Sequence, residues 1–393
     1  MMSNQHAHGW TWLCAGCWVL GASTGCAILT PIRPTVPAVA RLSREVLESG
    51  YQAFTGVIHI HTRYSDGGGT YEEVARIANQ QRLDYLIVTD HNTLKALSDG
   101  KQGWYGMTLV LVGTELSTRA GHYLALNIRT EINRNQPTQA IIDAVNHQGG
   151  LGFIAHPYFK KRRWTDWTVH GFTGIEGYNL AHDALDNSKL RVALWSVAVP
   201  ADVVFLSMVH RPYDPLAKWD ELLQRHGKVV GIGASDAHEI RLFGLKIAPY
   251  NTVFKMVRTH VLIPTGTPLS EESLYEALRR GHDYFSIDLI ADASGFVFMA
   301  DNTRQVLGIM GDDVPLAANL QLTAVLPDLA ELTLFKDGRS VATTTTTLWH
   351  VPVSEPGMYR LEASRQGKPW IYSNPIYVKP PASEPPGSNQ PER

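Results

Sequence analysis

From Tyr51 to about residue 290 the chain alternates short, uniformly apolar runs with stretches of helical period. "GVIHI" from Gly56, "DYLIVTDH", "TLVLVGTE", "HYLALNI", "LGFIAHP", "GIEGYN", "VVGIGASDAH", "HVLIP" and "YFSIDL" read as strands. Runs apolar on both faces, such as "DYLIV", suit a parallel sheet buried between layers. Between them, Thr70 and Glu73 form a capping box ahead of the stripe Val74, Ile77, Ala78. Further helices are predicted from about Thr138 to the stop at Gly149–Gly150, up to Gly227, and from Ser270 to Gly281. Repeated strand–helix units joined by right-handed crossovers give an open doubly wound sheet or a barrel. In either, chemistry collects at the carboxyl ends of the strands.

After about residue 291 the helical period disappears. "NLQLTAVLP", "ELTLFKDGRS", "TTTTTLWHVPV", "GMYRLEAS" and "WIYSNPIYV" are β-branched and aromatic, with turn signals at Asp337-Gly338 and Pro356-Gly357. They predict an antiparallel β-sandwich of immunoglobulin-like size over 291–380. The tail 381–393 holds too few apolar residues to pack.

Composition narrows the class. In 393 residues, 44% are hydrophobic and 18% charged, which fits a two-domain globular chain. The net charge of −2 gives no electrostatic case for nucleic acid or an anionic membrane as the main partner. The three cysteines, Cys14, Cys17 and Cys26, fall within the first 26 residues, so any metal in the body must be held by nitrogen and oxygen. The run "WTWLCAGCWVLGASTGC" has signal-peptide length. Cys26 after "ASTG" resembles a lipoprotein acylation site, although Ser23 stands where Leu is expected and the first basic residue is Arg33. The expectation is an exported, periplasmic or cell-surface lipoprotein, with residues 1–26 as signal segment and 27–50 as a tether and short helix.

The strand ends carry the chemistry. His59, His61 and Asp66 follow the first strand; His91 ends the second; Glu115 ends the third; His122 begins the next; His156 ends "LGFIAH"; Asp236 and His238 end "VVGIGASDAH". Strand alternation would place His59 with His61, and Asp236 with His238, on one side. A lone histidine at a strand end is usually a hydrogen-bonded structural residue. Six imidazoles and three carboxylates at matching strand ends instead point to divalent metal, since burying them together without a cation is costly. This donor set suits zinc, manganese or iron.

The ordered motifs "HIHTRYSDG", "VTDHN", "GTELS", "AHP" and "SDAH" resemble the PHP (polymerase and histidinol phosphatase) family over residues 51–290. The resemblance implies an α/β fold, a distorted (β/α)7 barrel with a bi- or trinuclear metal site. It places His59, His61, Glu115 and Asp236 on one metal, Glu115, His156 and His122 on a second, and Asp66, His91 and His238 on a third. The lipoprotein-like start and the C-terminal β domain are similar to a branch of the family that includes carbaryl hydrolase.

The expected reaction is in-line attack of a metal-bridging hydroxide on a phosphomonoester or small phosphodiester. Glu115 would fix the metals, and Asp66, Asp236 and His238 would be available to move protons. Arg63, Lys160, Arg162 and Arg241 are candidate phosphate contacts, and Gly67–Gly69 offers either a phosphate cradle or a tight turn. Two other functions compete. A carboxylic or carbamic ester hydrolase would suit the aromatic group Phe159, Trp164, Trp167 and Phe172. A non-catalytic surface protein would need only one closed metal shell.

Overall fold

The computed structural model describes residues 49–179, 201–242 and 245–381. The export segment with Cys26, nearly all of the tether and residues 382–393 of the tail lie outside the described residues, as does the side chain of Arg241. The elements are β1 (Tyr51–Ile58), α1 (Tyr71–Gln80), β2 (Tyr85–Val88), α2 (Lys95–Ser98), β3 (Gly103–Tyr105), β4 (Thr108–Val112), β5 (Thr114–Ser117), β6 (His122–Leu126), α3 (Thr138–His147), β7 (Leu151–Ile154) and β8 (Gly174–Asn179). Next come α4 (Ala201–Met208), α5 (Tyr213–His226), β9 (Val230–Ala234), β10 (Ile240–Leu242), β11 (Leu245–Ile247), α6 (Tyr250–Val253), β12 (Val257–Pro264), α7 (Glu271–Arg280) and β13 (Asp283–Ile287). The C-terminal strands are β14 (Val297–Asp301), β15 (Val306–Ile309), β16 (Asp313–Pro315), β17 (Gln321–Lys336), β18 (Arg339–Pro352), β19 (Gly357–Arg365), β20 (Lys368–Ser373) and β21 (Ile376–Lys379).

Helix ends follow the local chemistry. Thr70 and Glu73 close the capping box at α1, Gly227 ends α5, and Gly281 ends α7 in the left-handed conformation that glycine adopts most easily.

Two sheets are joined into a ring, at one edge by the chain and at the other by backbone hydrogen bonds. β1 pairs parallel with β2, and β2 with β4. The chain passes through Gly113 into β5, which pairs antiparallel with β6; β6 pairs with β7, β7 with β8 and β8 with β9. A Cβ on Gly113 would stand 2.7 Å from Leu126, so only glycine makes this corner without a shift. The chain beyond β9 returns to the end of β1 through Ser235 N–H to Ile58 O (3.0 Å), Ala237 N–H to His59 O (3.2 Å) and His61 N–H to Ala237 O (2.9 Å).

Alternate residues of these strands, among them Ile58, Ile87, Leu111, Leu124, Phe153 and Ile232, form one buried cluster. Their in-between neighbours Val57, Leu86, Val110, Ala125 and Ile154 belong to another cluster that includes the buried faces of α1, α3 and α5, whereas Leu274 and Leu278 of α7 join the first. The first cluster is therefore the interior of the ring, and the donors at the strand ends stand above it.

The C-terminal strands do not form a separate sheet as the sequence suggested. β20 pairs antiparallel with β13, and β13 with β12, so one sheet runs from the ring into the C-terminal region. The threonine run belongs to the 14-residue β18, which pairs with the 16-residue β17 in one long hairpin interrupted between Val325 and Ala330.

A buried ionic chain also ties the two regions. Arg360 on β19, 2% exposed, donates to both oxygens of Asp220 on α5 (2.7 and 2.6 Å) and to Glu362 (2.7 Å), which also receives Arg211. Removing one member leaves a buried charge underpaired. Asp220→Ala is expected to lower unfolding free energy by about 3 kcal/mol in urea titration, whereas a substitution at exposed Lys255 should change it by less than about 0.5 kcal/mol.

Candidate metal centre

Glu115 is the hub of the site. Its carboxylate is fully buried, and both oxygens face imidazoles. Oε1 lies 2.7 Å from His122 Nδ1 and 2.8 Å from His156 Nε2. Oε2 lies 2.9 Å from His91 Nδ1, 3.3 Å from His59 Nε2 and 3.4 Å from His61 Nε2. Asp236 Oδ1 completes the inner group, 3.4 Å from His59 Nε2 and 3.3 Å from His61 Nε2. The structure thus gathers all nine candidate ligands, with Asp66 and His238 on the outer side.

The two histidines of the first motif converge for a reason other than strand alternation. Ile58 belongs to the ring interior, so unbroken alternation would turn His59 and His61 outward beside Val57. β1 ends at Ile58, and His59 adopts φ 68°. This left-handed step reverses the alternation, leaving Ile60 outside and the two imidazoles inside, with ring centroids 5.0 Å apart. Asp236 (φ 50°) and His156 (φ 23°) carry comparable backbone strain, which clusters at functional sites.

The donors fit a metal. A tetrahedral ion with ligands at about 2.0–2.1 Å has ligand–ligand edges of about 3.3–3.4 Å. The four cross-distances joining His59 Nε2 and His61 Nε2 to Glu115 Oε2 and Asp236 Oδ1 are 3.3–3.4 Å. His59 Nε2, both ring nitrogens of His61, His91 Nδ1, His156 Nδ1 and Glu115 Oε2 are buried without a hydrogen-bond partner. Orphaned donor atoms of this kind are what a metal would satisfy.

Further sets join His91, Glu115 and His122, and His61, Asp66, His91 and His238. His61 Nδ1 lies 3.7 Å from Asp66, while its Nε2 serves the first set. A neutral imidazole has a single lone pair, so His61 serves one set. His91 faces the same choice, with Nδ1 toward Glu115 and Nε2 3.7 Å from Asp66. The outer set keeps Asp66 and His238, and His91 is shared between it and the set at Glu115.

Charge follows the geometry. Burial would raise the Glu115 carboxyl, but His59, His122 and His156 hold it well below the usual range. Burial opposes protonation of His238, yet its contact with Asp66 and the charge of Asp236 raise it to about 9. His59, His91 and His156 are raised in the same way: burial opposes the charge, and neighbouring carboxylates, Glu115 foremost, outweigh it. His61 is lowered to about 4 by burial and by His238.

The remaining sequence candidates behave differently. Arg63 donates Nε–H to Gly68 O (3.0 Å) and lies 3.8 Å from Glu73, so it braces its own loop. Lys160 and Arg162 are exposed on the segment after His156. Trp164 is 1% exposed against Tyr123, and Phe172 is buried beside His226, so these two aromatics are packing.

The glycine run is a packing device rather than a cradle. The N–H groups of Gly67, Gly68 and Gly69 already donate to Thr62 O, His238 O and Tyr250 Oη. A Cβ on Gly67 would lie 2.2 Å from the His61 carbonyl oxygen. Gly67→Ala is expected to cost about 3 kcal/mol in thermal unfolding and to weaken metal binding, because the clash is with the backbone of a candidate ligand.

Sequence reasoning missed two supports. Asp90 accepts from Thr62 N–H (2.7 Å), Thr62 Oγ1 (2.7 Å) and Ser65 Oγ (2.6 Å), fixing the loop after His61. Glu176, on β8, accepts from His59 Nδ1 at 2.6 Å. The available signal was a carboxylate at an inward position of the otherwise apolar "GIEGYN".

No protein-family model matches the chain. An uncharacterized protein of Methanocaldococcus jannaschii is 26% identical over 114 residues, spanning 26% of this chain and 66% of its own length. Among solved structures, a two-domain protein of Bacteroides vulgatus containing a predicted PHP-like metal-dependent phosphoesterase is similar at 15% identity and TM-score 0.42, covering 83% of this chain and 96% of its own. A Bifidobacterium adolescentis protein proposed to be a metal-dependent phosphoesterase is similar at 16% identity and TM-score 0.31, covering 50% and 93%. An amidohydrolase of Chromobacterium violaceum with bound sulfate and no metal is similar at 15% identity and TM-score 0.31, covering 47% and 87%.

Proposed function

We propose that this chain is a PHP-type metal-dependent hydrolase whose substrate is a phosphomonoester or small phosphodiester. The observation that carries the proposal is the Glu115 hub, where imidazoles from different strands converge on both oxygens of one carboxylate and those facing Oε2 have no hydrogen-bond partner. The ring of β1, β2, β4–β5, β6, β7, β8 and β9 offers seven strand positions, counting β4–β5 as one, which suits the barrel that the motif series implies. Residues 51–290 would form the metallohydrolase domain and 291–380 a β domain braced against it.

When bound, two or three divalent ions of zinc, manganese or iron would lower the pKa of nearby water and neutralise charge on phosphoryl oxygens. His59, His61, Glu115 and Asp236 would hold one ion, and Glu115 with His122 and His156 a second. Asp66, whose side chain is 56% exposed, and the partly exposed His238 stand on the solvent side, 3.3 Å apart, placed to pass protons to and from solvent. A centre able to hold adjacent cations favours a phosphoryl group, whose several charged oxygens can each be matched, over a carboxylic ester with one carbonyl oxygen.

Export and lipidation at Cys26 belong to the same proposal, supported by the apolar run and small residues before that cysteine. Among the described residues no helix is long and apolar enough to cross a membrane.

The test is turnover of nitrophenyl phosphate, bis-nitrophenyl phosphate and a nitrophenyl carboxylic ester by metal-loaded wild type and His59→Ala. Phosphoester turnover that falls about 10³-fold in the variant is the expected result. Turnover of the carboxylic ester alone would replace the substrate class. No turnover of any substrate by a chain holding one metal would favour a binding protein.

A further inference from the structure

Glu176 sits at an inward position of β8, 1% exposed, opposite Ile232 of the ring interior. Its Oε1 accepts from His59 Nδ1 at 2.6 Å. Its Oε2 accepts from the backbone N–H of His156 at 2.5 Å and from Asn179 Nδ2 at 2.7 Å. All three partners act as donors, so the position calls for a group that only accepts, which a carboxylate is and an amide is not.

Two consequences meet on this side chain. The hydrogen bond to Oε1 keeps the His59 proton on Nδ1 and leaves the Nε2 lone pair facing Glu115 and Asp236. The bond to Oε2 pins His156 at the backbone, where φ is 23° and the chain gains from an anchor. His59 faces Oε2 of Glu115 and His156 faces Oε1, and both are held by one carboxylate.

We propose that Glu176 is a positioning residue that locks His59 and His156 in ligating geometry and thereby links the first metal position to the second. The inference rests on the metal-centre reading above. A glutamine at 176 must point its amide N–H₂ at a donor whichever way it turns. Oε2 receives two donors and Oε1 one, so the amide turns its N–H₂ to His59, where it would draw the imidazole proton to Nε2 and remove the ligating lone pair, and it leaves His156 the amide oxygen, a weaker acceptor than a carboxylate.

The experiment compares wild type with Glu176→Gln, full chain, by calorimetric titration with manganese and zinc. Long-range ¹H–¹⁵N spectra of the histidine rings in the zinc-loaded protein give the His59 tautomer. The expected result is binding weakened about 10–100-fold at both of the tightest positions, together with loss of the Nδ1–H form of His59. Wild-type affinity in the variant, weakening confined to one position, or a His59 ring that keeps its tautomer would each overturn the inference. A wild-type chain that binds no metal would instead overturn the underlying reading. Circular dichroism of the metal-free proteins monitors folding. If the glutamine variant does not fold, Asn179→Ala, which leaves the carboxylate and removes one of its donors, should weaken both positions about tenfold; unchanged affinity there would overturn the inference.

Discussion

Replacing Glu115 with glutamine should reduce phosphoester turnover by about 10³-fold or more and lower the number of metals retained per chain. The carboxylate is fully buried and faces five imidazoles, so its loss removes the proposed shared ligand and the charge that balances them. Lewis-acid stabilisation by bound metal amounts to several kcal/mol, and about 4 kcal/mol corresponds to about 10³ in rate. In the metal-free chain the same change leaves imidazolium groups without their partner, a loss of about 3–5 kcal/mol. Elemental analysis, turnover and thermal unfolding of the one variant read all three effects. An isosteric variant with wild-type metal content would remove Glu115 from the centre of the site.

The second large effect is on pH. His59, His91, His156 and His238 have raised pKa values in the metal-free site, His238 to about 9, so they hold protons near neutrality that metal must displace. Metal binding at pH 7 should release protons, and affinity should fall at least tenfold for each pH unit below 7, about one decade per displaced proton. Titration in buffers of different ionisation enthalpy counts those protons.

The sign for the metal-free chain is opposite in direction. Raised imidazoles stabilise the fold fully below their unfolded value of about 6.5, and the contribution disappears as pH rises through the folded values. Glu115, Asp66 and Asp236 are lowered: burial opposes their charge, and the imidazoles outweigh it. Their contribution is present above an unfolded value of about 4 and lost as pH falls below it. His61, lowered to about 4, works against this and costs stability as pH falls below about 6.5, so the metal-free chain should be most stable near pH 6 to 6.5 and lose stability toward both pH 4 and pH 9.

The ligand candidates were legible because each stands where an apolar run stops, and polar donors at successive strand ends are rare without a shared purpose. What escaped the sequence depended on backbone turns and distant pairing. Nothing in "GVIHIH" announces that His59 takes a left-handed φ, and without that step the pattern of alternation assigns the wrong face. Gly67–Gly69 looked available to a phosphate because a sequence does not show that His238 and Tyr250 already accept two of its N–H groups. Glu176 was hidden in an apolar strand, where a single carboxylate attracts less notice than a histidine pair. The C-terminal strands were recognised as strands, but the β13–β20 pairing that continues the ring's sheet into them joins residues far apart in the chain.

The most direct test of the metal centre is anomalous X-ray diffraction from crystals of the chain loaded with zinc or manganese. The account predicts a peak within about 2.0–2.2 Å of His59 Nε2, His61 Nε2, Glu115 Oε2 and Asp236 Oδ1, with a second beside Glu115 Oε1 near His122 and His156. Loaded crystals with no peak among these residues, or with metal bound only elsewhere, would contradict it.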